Sequence, residues 1–540
     1  MSTNDVTLPA RVEIYDTTLR DGSQLEGISL TVDDKLRIAE QLDWLGVDYI
    51  EAGWPGANPK DDELFQRAQR ELHLEHSTLV AFGMTRRVKG RVDSDDTLRH
   101  LVEANTATVC IVGKCWDYHV TEALGTTLDE GVAMVADSIA YLKELGREVL
   151  FDAEHFFDGF KRNPEFSLRV LEGAVQAGVD ALVLCDTNGG SLPHEVEATV
   201  RAVVGYVGAD VKVGVHLHDD TGCGVANALA GVLGGATQVQ GTINGYGERT
   251  GNCNLTTIIP NLTLKMGIET LPPDRMERLT PVAHHVAELV NMSLNPQAAY
   301  VGSSAFAHKA GLHVSAIIKR PDAYEHIPPD TVGNGTRFVM SELAGKSTVQ
   351  LKAQELGLDL DGPTVNQVVD TLKHLEHEGY HFEVADASLE LLMRRATGWE
   401  HTWFHVESFR VITDDASPTT TAGEAPDGVL TEATIKVLVD DDRLIATEEG
   451  NGPVNALDRA LRAALAGRYP ALDRLHLTDY KVRVLDTQKG TGAITRVLLD
   501  STDGEESWTT IGVSENIIEA SWQALADSIV YGLLRAEIRG

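Results

Sequence analysis

The sequence predicts an α/β protein that begins with a (β/α)8 TIM barrel, continues with a mainly helical linker subdomain and ends in an α+β domain. Three observations lead to this prediction. Between residue 11 and about residue 245, eight β-rich runs alternate with segments of helical periodicity. The residues that follow are mainly helical in pattern, and the last part contains a strand-then-helix unit twice. We therefore expect domains over residues 1–280, 281–395 and 396–540.

The barrel prediction depends on strand candidates whose spacing leaves room for one helix after each. In chain order they are VEIYDTT, DYIEAGW, TLVAFGM, ATVCIVG, EVLFDAEH, ALVLCDT, KVGVHLH and TQVQGTI. Segments between them, such as TVDDKLRIAEQLDWLG, have apolar residues three and four apart and end on glycine, as helices often do. An open doubly wound sheet is the alternative. It is disfavoured because DGSQLEG, after the first strand, lacks the glycine pattern of a phosphate-binding loop.

The second and third domains have their own signals. Residues 281–395 include the segment SSAFAHKAGLHVSAI, in which two histidines are five apart. Residues 413–428, TDDASPTTTAGEAPDG, have the composition of a flexible loop or linker. Beyond it, alternating strands lead twice into a helical segment, which favours a small sandwich of strands and helices over a second catalytic barrel.

Composition excludes several classes of function. The formal net charge is −35 and the sequence pI is about 4.8, so nucleic acid and anionic membrane surfaces are poor partners. The N-terminus lacks a signal-peptide pattern, and no apolar run approaches the ~20 residues that span a bilayer, which indicates a cytoplasmic protein. The five cysteines lack paired CxxC spacing, and we expect reduced, structural thiols.

Polar residues stand at the ends of several predicted strands. Because right-handed crossovers bring the carboxyl ends of barrel strands to one face, we expect these side chains to converge. In order of the strands that precede or contain them, they are Arg20 and Asp21 (first), Glu154 and His155 (fifth), Asp186 and Thr187 (sixth), His216 and His218 (seventh) and Asn252 (eighth).

A metal site is the first interpretation of this set. His216 and His218 are two apart on a strand, so their side chains point to the same side. With the carboxylate of Asp21 and the amide oxygen of Asn252 they form a mixed N/O set suited to Mg²⁺, Mn²⁺, Co²⁺ or Zn²⁺. The alternative is that the histidines fill the barrel interior or bind backbone groups. Their position on strand seven, together with an aspartate at the end of strand one, favours the metal.

The remaining strand-end residues allow two interpretations each. Arg20, beside the predicted metal ligand, can neutralise charge on a substrate oxygen or form an internal salt bridge with Glu51, and both can hold together. Glu154 is either a general acid or base or a structural partner, and the functional face favours the former. Asp186 and Thr187 could bind a substrate carboxylate or cap the next helix.

The segments DTTLRDGSQ, HLHDD and NGYGERTGNCNL resemble the DRE-TIM metallolyases, metal-dependent Claisen-condensing barrels. That family includes 2-isopropylmalate, homocitrate and citramalate synthases and related acyl-CoA lyases. VGKCWDYHVTEALGTTLDE, DAEHFFDGFKRNP, LCDTNGGSLPHE, SAFAHKAGLHVSA and SELAGKS resemble its long citramalate synthase branch. The resemblance spans nearly the whole chain, and its last part resembles the amino-acid-sensing dimer domain of the 2-isopropylmalate synthases.

The resemblance implies a role for each matching residue. Asp21, His216, His218 and Asn252 match the residues that bind the metal. Arg20 matches the residue that polarises the carbonyl group of the 2-oxo acid, and Thr187 matches one that lies near the carboxylate of the same acid. Glu154 matches the catalytic glutamate. His313 and Tyr324 match a pair that the family extends into the partner subunit's barrel, with His308 the weaker candidate for the histidine. Asp219 departs from the family pattern, which commonly has asparagine there, and this extra carboxylate leaves the identity of the metal open.

The implied activity is that of an acyltransferase in isoleucine biosynthesis. Acetyl-CoA, pyruvate and water give (R)-citramalate and CoA, in a homodimer that isoleucine inhibits. The alternatives are condensation with a larger 2-oxo acid, the reverse cleavage by a lyase, and a non-catalytic amino-acid sensor. The C-terminal module argues against the lyase, and the complete set of strand-end residues argues against the sensor.

Overall fold

The computed structural model describes residues 8–309, 311–340, 345–401, 403–414, 430–440, 442–485, 490 and 492–539. The chain divides into two compact units. The first comprises the chain up to Phe306 together with Glu325–Thr336, and the second comprises Ala307–Tyr324 and the chain from Arg337 onward. The domain boundaries expected at residues 280 and 395 stay predictions.

The first unit contains a closed barrel of eight parallel strands, which confirms the predicted fold class. The strands are β1 Glu13–Asp16, β2 Tyr49–Gly53, β3 Thr78–Met84, β4 Thr108–Lys114, β5 Glu148–Glu154, β6 Ala181–Asp186, β7 Lys212–Leu217 and β8 Gln238–Gly241. Each pairs with the next in sequence, and β1 closes the barrel on β8 with Glu13 opposite Gln238. All eight predicted strands are present.

Helices cover the outside of the barrel. They are α1 Val32–Leu45, α2 Pro59–Glu71, α3 Asp96–Glu103, α4 Leu128–Glu144, α5 Phe156–Arg162, α6 Pro164–Gln176, α7 Pro193–Val207, α8 Gly224–Leu233, α9 Leu255–Pro260 and α10 Leu279–Leu289. Their apolar faces pack with the outward residues of the strands into one continuous core. This packing buries the strands on both faces, as parallel barrels require.

The first helix shows how local sequence sets these boundaries. Thr31 accepts the backbone N–H of Asp34, and the Asp34 carboxylate accepts the backbone N–H of Thr31, which forms a capping box. The helix ends at Gly46, whose φ of 96° lies in the left-handed region that glycine adopts without strain. The predicted glycine stop is confirmed here.

Two short strands and four helices open the second unit. They are β9 Ala307–His308, α11 Gly311–Lys319, β10 Arg337–Phe338, α12 Lys346–Glu355, α13 Gly362–Glu378 and α14 Asp386–Ala396. The two strands pair with each other. This part is mainly helical, as its sequence pattern predicts. The first four residues of SELAGKS lie outside the described residues.

The C-terminal part of the second unit contains the predicted repeat. Its elements are β11 His405–Asp414, β12 Leu430–Val439, β13 Asp442–Gly450, α15 Pro453–Leu465, β14 His476–Val484, β15 Thr495–Thr502, β16 Ser507–Ser514 and α16 Ile517–Arg539. Each three-stranded antiparallel sheet is followed by a helix. The segment predicted as a flexible linker lies outside the described residues, except for its first two residues, which end β11.

Two expectations from composition can be compared with the structure. All five cysteines are free, four of them buried and Cys223 partly so, which agrees with structural thiols. Among the described residues, no helix is long and apolar enough to cross a membrane.

Candidate metal and active site

The structure places seven of the nine predicted site residues at the carboxyl-terminal face of the barrel. They are Arg20, Asp21, Glu154, Thr187, His216, His218 and Asn252, at the ends of β1, β5, β6 and β7 and in the loop after β8. All except Asn252 line one cavity of about 250 Å³ in the barrel mouth. His313 and Tyr324 belong to the second unit.

Asp21, His216 and His218 form a buried group that could hold a metal ion. One ligand atom from each lies within 4.8 Å of the others. The Asp21 carboxylate oxygen Oδ2 is 3.1 Å from Nε2 of His216 and 3.7 Å from Nε2 of His218. The three side chains therefore present one oxygen and two nitrogens to a common point, which is a donor set that suits a divalent cation.

Hydrogen bonds from the interior of the barrel fix the orientation of His216. Its Nδ1 lies 2.8 Å from the amide oxygen of Gln240, which can only accept, so Nδ1 carries the proton. The Gln240 amide is itself oriented because its nitrogen donates to Asp152, at 3.2 Å. Nε2 of His216 faces the Asp21 carboxylate and donates to it while protonated, and it presents its lone pair to a cation once that proton leaves. Metal-binding histidines are held in this way, so the residues present fit a metal.

Asn252 completes the group from the loop after β8. Its amide nitrogen donates to the Asp21 carboxylate at 2.8 Å, and its amide oxygen is buried without a hydrogen-bond partner in the described chain. A Cβ on Gly247 would come within 2.0 Å of that oxygen, so only glycine allows this approach. This buried amide oxygen lies beside a carboxylate and two imidazoles. A cation bound there would give it the partner that it lacks in the described chain.

The charges in this group are strongly coupled. Burial favours the neutral form of Asp21, but the Arg20 guanidinium and the hydrogen bond to His216 outweigh it and hold the pKa of Asp21 well below its usual range. Burial also opposes charge on His216, yet Asp21 raises its pKa to about 9. Burial and the neighbouring His216 lower the pKa of His218 to about 4. The carboxylate is thus ionised and His218 is neutral, which are the forms that bind metals, and His216 releases the proton on Nε2 when a cation binds.

Arg20 contacts both the Asp21 and the Glu51 carboxylate. Its Nε donates to the fully buried Glu51 at 2.6 Å, and its Nη1 contacts Asp21 at 3.1 Å. Its guanidinium carbon lies 3.9 Å from the centre of the Phe82 ring. Glu51 also accepts from the hydroxyl groups of Tyr15 and Thr17. The guanidinium is therefore fixed at the edge of the cavity, and its cation is available to a bound oxygen.

Glu154 is paired with a cation that sequence reasoning missed. The Lys114 ammonium, at the end of β4, contacts its carboxylate, and both side chains line the barrel-mouth cavity. The next residue, His155, has a φ of 55°, a conformation that costs a non-glycine residue free energy. Backbone strain of this kind concentrates at functional sites, and here it directly follows the predicted catalytic glutamate.

The loops after β6, β7 and β8 are tied together beside the cavity. Thr187 accepts the backbone N–H of His155 through its hydroxyl, at 2.9 Å, and therefore does not cap the next helix. Asp186 accepts the backbone N–H of Ser191, which fixes the loop before α7. Arg249 binds the Asp220 carboxylate and the Thr187 carbonyl oxygen. Asp186 therefore holds this loop and does not cap α7, and contact of Asp186 or Thr187 with a substrate carboxylate stays a prediction.

Asp219 is not a member of the metal group, and the predicted pair His313 and Tyr324 belongs to the second unit. The Asp219 carboxylate accepts the backbone N–H of Gly224 at the start of α8, at 2.5 Å, so the structure gives no support to a role in metal preference. In the second unit, the rings of His313 and Tyr324 are stacked with centroids 4.2 Å apart. His308 stands in the short strand β9 instead.

The Gln240 contact yields a quantitative prediction. We expect Gln240→Leu to weaken Mn²⁺ binding about 10–100-fold, because His216 loses the acceptor that fixes its tautomer. Gln238→Leu is the matched control, since Gln238 is on the same strand and contacts Glu13 instead. Isothermal titration calorimetry measures both variants. Equal Mn²⁺ affinity in Gln240→Leu and the wild type would contradict a metal held through His216.

Comparison with protein families divides the chain into three matched segments. The HMGL-like family model matches residues 11–284, the homocitrate synthase post-HMGL domain-like model matches residues 300–380, and the LeuA allosteric (dimerisation) domain matches residues 383–533. The first segment contains the barrel and the metal group. The last contains the two sheets and helices of the C-terminal repeat.

Several curated relatives match the chain from end to end. The (R)-citramalate synthase of Aquifex aeolicus is 50% identical over 98% of this chain and 99% of its own. The Streptomyces coelicolor enzyme of the same name is 51% identical over 97% of both chains, and that of Synechocystis is 50% identical over 96% of both. The chain belongs to the (R)-citramalate synthase family, within the HMGL-like acyltransferases that condense acetyl-CoA with a 2-oxo acid.

Proposed function

We propose that this chain catalyses the condensation of acetyl-CoA with pyruvate and water to give (R)-citramalate and CoA, in isoleucine biosynthesis in the cytoplasm. The observation that carries the proposal is the Asp21, His216 and His218 group beside the fixed guanidinium of Arg20, in a chain of this family. Burial of three ionisable side chains costs free energy, and a barrel without a catalytic role would gain nothing from it. This argues against the non-catalytic amino-acid sensor.

The size of the cavity supports a small 2-oxo acid. At about 250 Å³ it is smaller than the ~300–1,000 Å³ of common ligand pockets. Phe82, Met84 and Val112 occupy the walls between the polar residues. A substrate with a larger alkyl or carboxyalkyl chain, as 2-isopropylmalate or homocitrate synthesis requires, would compete with these side chains for space. Pyruvate, with a methyl group there, would not.

The residues of the site divide the work of the reaction. A divalent metal ion bound by Asp21, His216, His218 and Asn252 would supply Lewis-acid polarisation of the keto group, and Mn²⁺, Mg²⁺, Co²⁺ and Zn²⁺ all suit this donor set. Arg20 stabilises the negative charge that develops on the keto oxygen when the new bond forms.

Glu154 and Thr187 complete the proposed assignment. Thr187 lies beside the carboxylate of the 2-oxo acid, and Glu154, held by Lys114, takes part in proton transfer. The acetyl methyl group loses a proton, a carbon–carbon bond forms to the keto carbon, and water then cleaves the thioester to release CoA. The thioester hydrolysis drives the condensation to completion.

A thiol-release assay tests the substrate assignment. The enzyme is supplied with acetyl-CoA, Mn²⁺ and one of pyruvate, 2-oxoisovalerate or 2-oxoglutarate, and free CoA is measured with a thiol reagent. We expect release with pyruvate and little with the two larger acids. If CoA is released faster with either larger acid, that acid and not pyruvate is the substrate. If no CoA is released with any of the three acids, the proposed synthase activity is wrong.

The proposal includes a homodimer in which His313 and Tyr324 serve the partner's site. We expect His313→Ala and Glu154→Ala proteins, each inactive alone, to recover up to about a quarter of wild-type activity when mixed. After random exchange of equal amounts, half of the dimers contain one chain of each variant. In each of these dimers, one of the two sites has an intact Glu154 from one chain and an intact His313 from the other. No recovery after demonstrated subunit exchange would indicate that each site is built within one chain.

Feedback inhibition by isoleucine is proposed for the C-terminal domain. The matched model describes this segment as allosteric. A ligand that favours an inactive arrangement by the usual ~1–3 kcal/mol lowers activity without contact with the metal group. We expect isoleucine to inhibit the full chain more strongly than leucine or valine. No inhibition by any of the three amino acids would contradict sensing by this domain.

A further inference from the structure

Arg249 lines the barrel-mouth cavity and contacts residues of two other loops. Its Nε and Nη2 donate to the two carboxylate oxygens of Asp220, at 2.7 and 2.9 Å, and its Nη2 also donates to the carbonyl oxygen of Thr187, at 2.8 Å. Arg249 follows β8, Asp220 follows β7 and Thr187 follows β6. One guanidinium therefore joins three consecutive loops of the barrel face, and we call these contacts the arginine clamp.

The backbone on two sides of the clamp adopts conformations that the clamp requires. Arg249 has a φ of 59°, in the left-handed region that costs a non-glycine residue free energy. Gly189, two residues after Thr187, has a φ of 61°, and a Cβ there would collide with the Asp220 carboxylate. Glycine therefore allows the loop after β6 to approach Asp220 closely. An incidental ion pair on the surface would not require either feature.

Backbone hydrogen bonds join the loops after β7 and β8 independently of the clamp, on both sides of the proposed metal ligands His218 and Asn252. Each is 2.9 Å long, and they run from the N–H group of Asp219 to the carbonyl oxygen of Gly251 and from that of Cys253 to the carbonyl oxygen of Leu217. The carbonyl oxygen of Thr187, in contrast, accepts from Arg249 alone among the described residues. The specific contribution of the clamp is therefore the position of Thr187.

Thr187 is held at two points. Arg249 donates to its carbonyl oxygen, and the backbone N–H of His155 donates to its hydroxyl oxygen at 2.9 Å. Because the hydroxyl oxygen accepts that bond, its own hydrogen is available for donation to a carboxylate oxygen in the mouth. Thr187 lines the same cavity as the metal group, so such a carboxylate would lie within its reach.

We propose that Arg249 is a positioning residue for the 2-oxo acid, because it holds the Thr187 carbonyl oxygen against Asp220 and so orients the Thr187 hydroxyl toward the substrate carboxylate. This inference rests on the proposed synthase function, in which Thr187 lies beside that carboxylate, and adds the group that keeps it there. A hydrogen-bond donor that is already ordered costs less free energy to fix when the substrate binds. Loss of the clamp should therefore weaken substrate binding more than it slows the chemical step.

The first test measures pyruvate binding to Mn²⁺-loaded enzyme without acetyl-CoA, from the relaxation of the pyruvate methyl protons by bound Mn²⁺. We expect Arg249→Ala to weaken pyruvate binding about tenfold and to change Mn²⁺ affinity less than about twofold. Arg169→Ala is the matched control, since Arg169 has the same 42% side-chain exposure and pairs with Asp129 between the outer helices α6 and α4. It should bind pyruvate like the wild type. Unchanged pyruvate binding in Arg249→Ala, or an equal loss of pyruvate and Mn²⁺ affinity, would overturn the proposal.

Two further variants separate positioning from charge. Arg249→Lys keeps the charge but lacks the planar fork that serves the carboxylate and the carbonyl together, so we expect it to bind pyruvate about threefold more weakly than the wild type. In a double-mutant cycle with Thr187→Ala, Arg249→Ala should cause no further loss, because it acts through the Thr187 hydroxyl. Wild-type binding by the lysine variant, or additive losses in the cycle, would contradict positioning through Thr187.

Turnover gives an independent measurement of the same effect. We expect Arg249→Ala to raise the KM for pyruvate about tenfold and to lower kcat less than about threefold. A fall in kcat at unchanged KM would overturn the positioning role. Because binding is measured without acetyl-CoA, an enzyme that binds pyruvate through the clamp but forms no citramalate would overturn the proposed function alone. Wild-type enzyme that binds no pyruvate would overturn both.

Discussion

We expect His216→Ala to form citramalate about 10³-fold more slowly than the wild type, or not at all. The substitution removes one of two nitrogen donors and leaves Asp21 with neither its metal nor its 3.1 Å imidazole partner. Lewis-acid polarisation is worth several kcal/mol of transition-state stabilisation, and each ~1.4 kcal/mol is tenfold in rate.

The measurement combines turnover with Mn²⁺ binding and a folding control. His194→Ala is the matched variant, because His194 is exposed on α7 and does not line the mouth. It should retain wild-type turnover and metal affinity. Full activity in His216→Ala, or in wild-type enzyme after exhaustive chelation, would contradict the metal assignment.

We expect Arg20→Ala to lower both kcat and the stability of the fold. Loss of one preorganised cation at a developing oxyanion typically costs about 10²–10³-fold in kcat. The substitution should also destabilise the fold by about 3–5 kcal/mol, because Glu51 is fully buried and loses its only cationic partner among the described residues. Activity and denaturant stability are therefore both expected to fall.

A double variant separates the two effects. In Arg20→Ala combined with Glu51→Gln, the buried residue carries no charge and keeps contacts with Tyr15 and Thr17. We expect the free energy of unfolding to recover in large part, while kcat stays low. Recovery of kcat together with stability would show that Arg20 acts only by holding the fold.

The barrel was predictable because its signals are local and repeated. Strand runs such as TLVAFGM coincide with β3, and the glycine after α1 marks the helix end. Once the strands were known, the rule that parallel strand ends share a face was enough to bring Asp21 and His216 together. These residues are 195 apart in sequence, and only topology makes them neighbours.

The residues that support the site were less accessible to sequence reasoning. Gln240 and Asp152 reach His216 from the interior of the barrel, where contacts join strands that are distant in sequence. Their inward direction follows from strand alternation, but the choice of partner depends on the stagger of the strands. Lys114 was visible at the end of its strand, and a cation next to a strand-end glutamate could have been suspected. The contact of the Asp219 carboxylate with the start of α8 could not be predicted from its place after His218.

Product analysis tests the central claim most directly. Purified enzyme is incubated with Mn²⁺, acetyl-CoA and ¹³C-labelled pyruvate, and the products are resolved by chiral chromatography with mass detection alongside a CoA assay. We predict one equivalent of labelled (R)-citramalate for each CoA released, and none of either after chelation of the metal. Release of CoA without labelled citramalate, or undiminished citramalate formation in the chelated enzyme, would contradict the account.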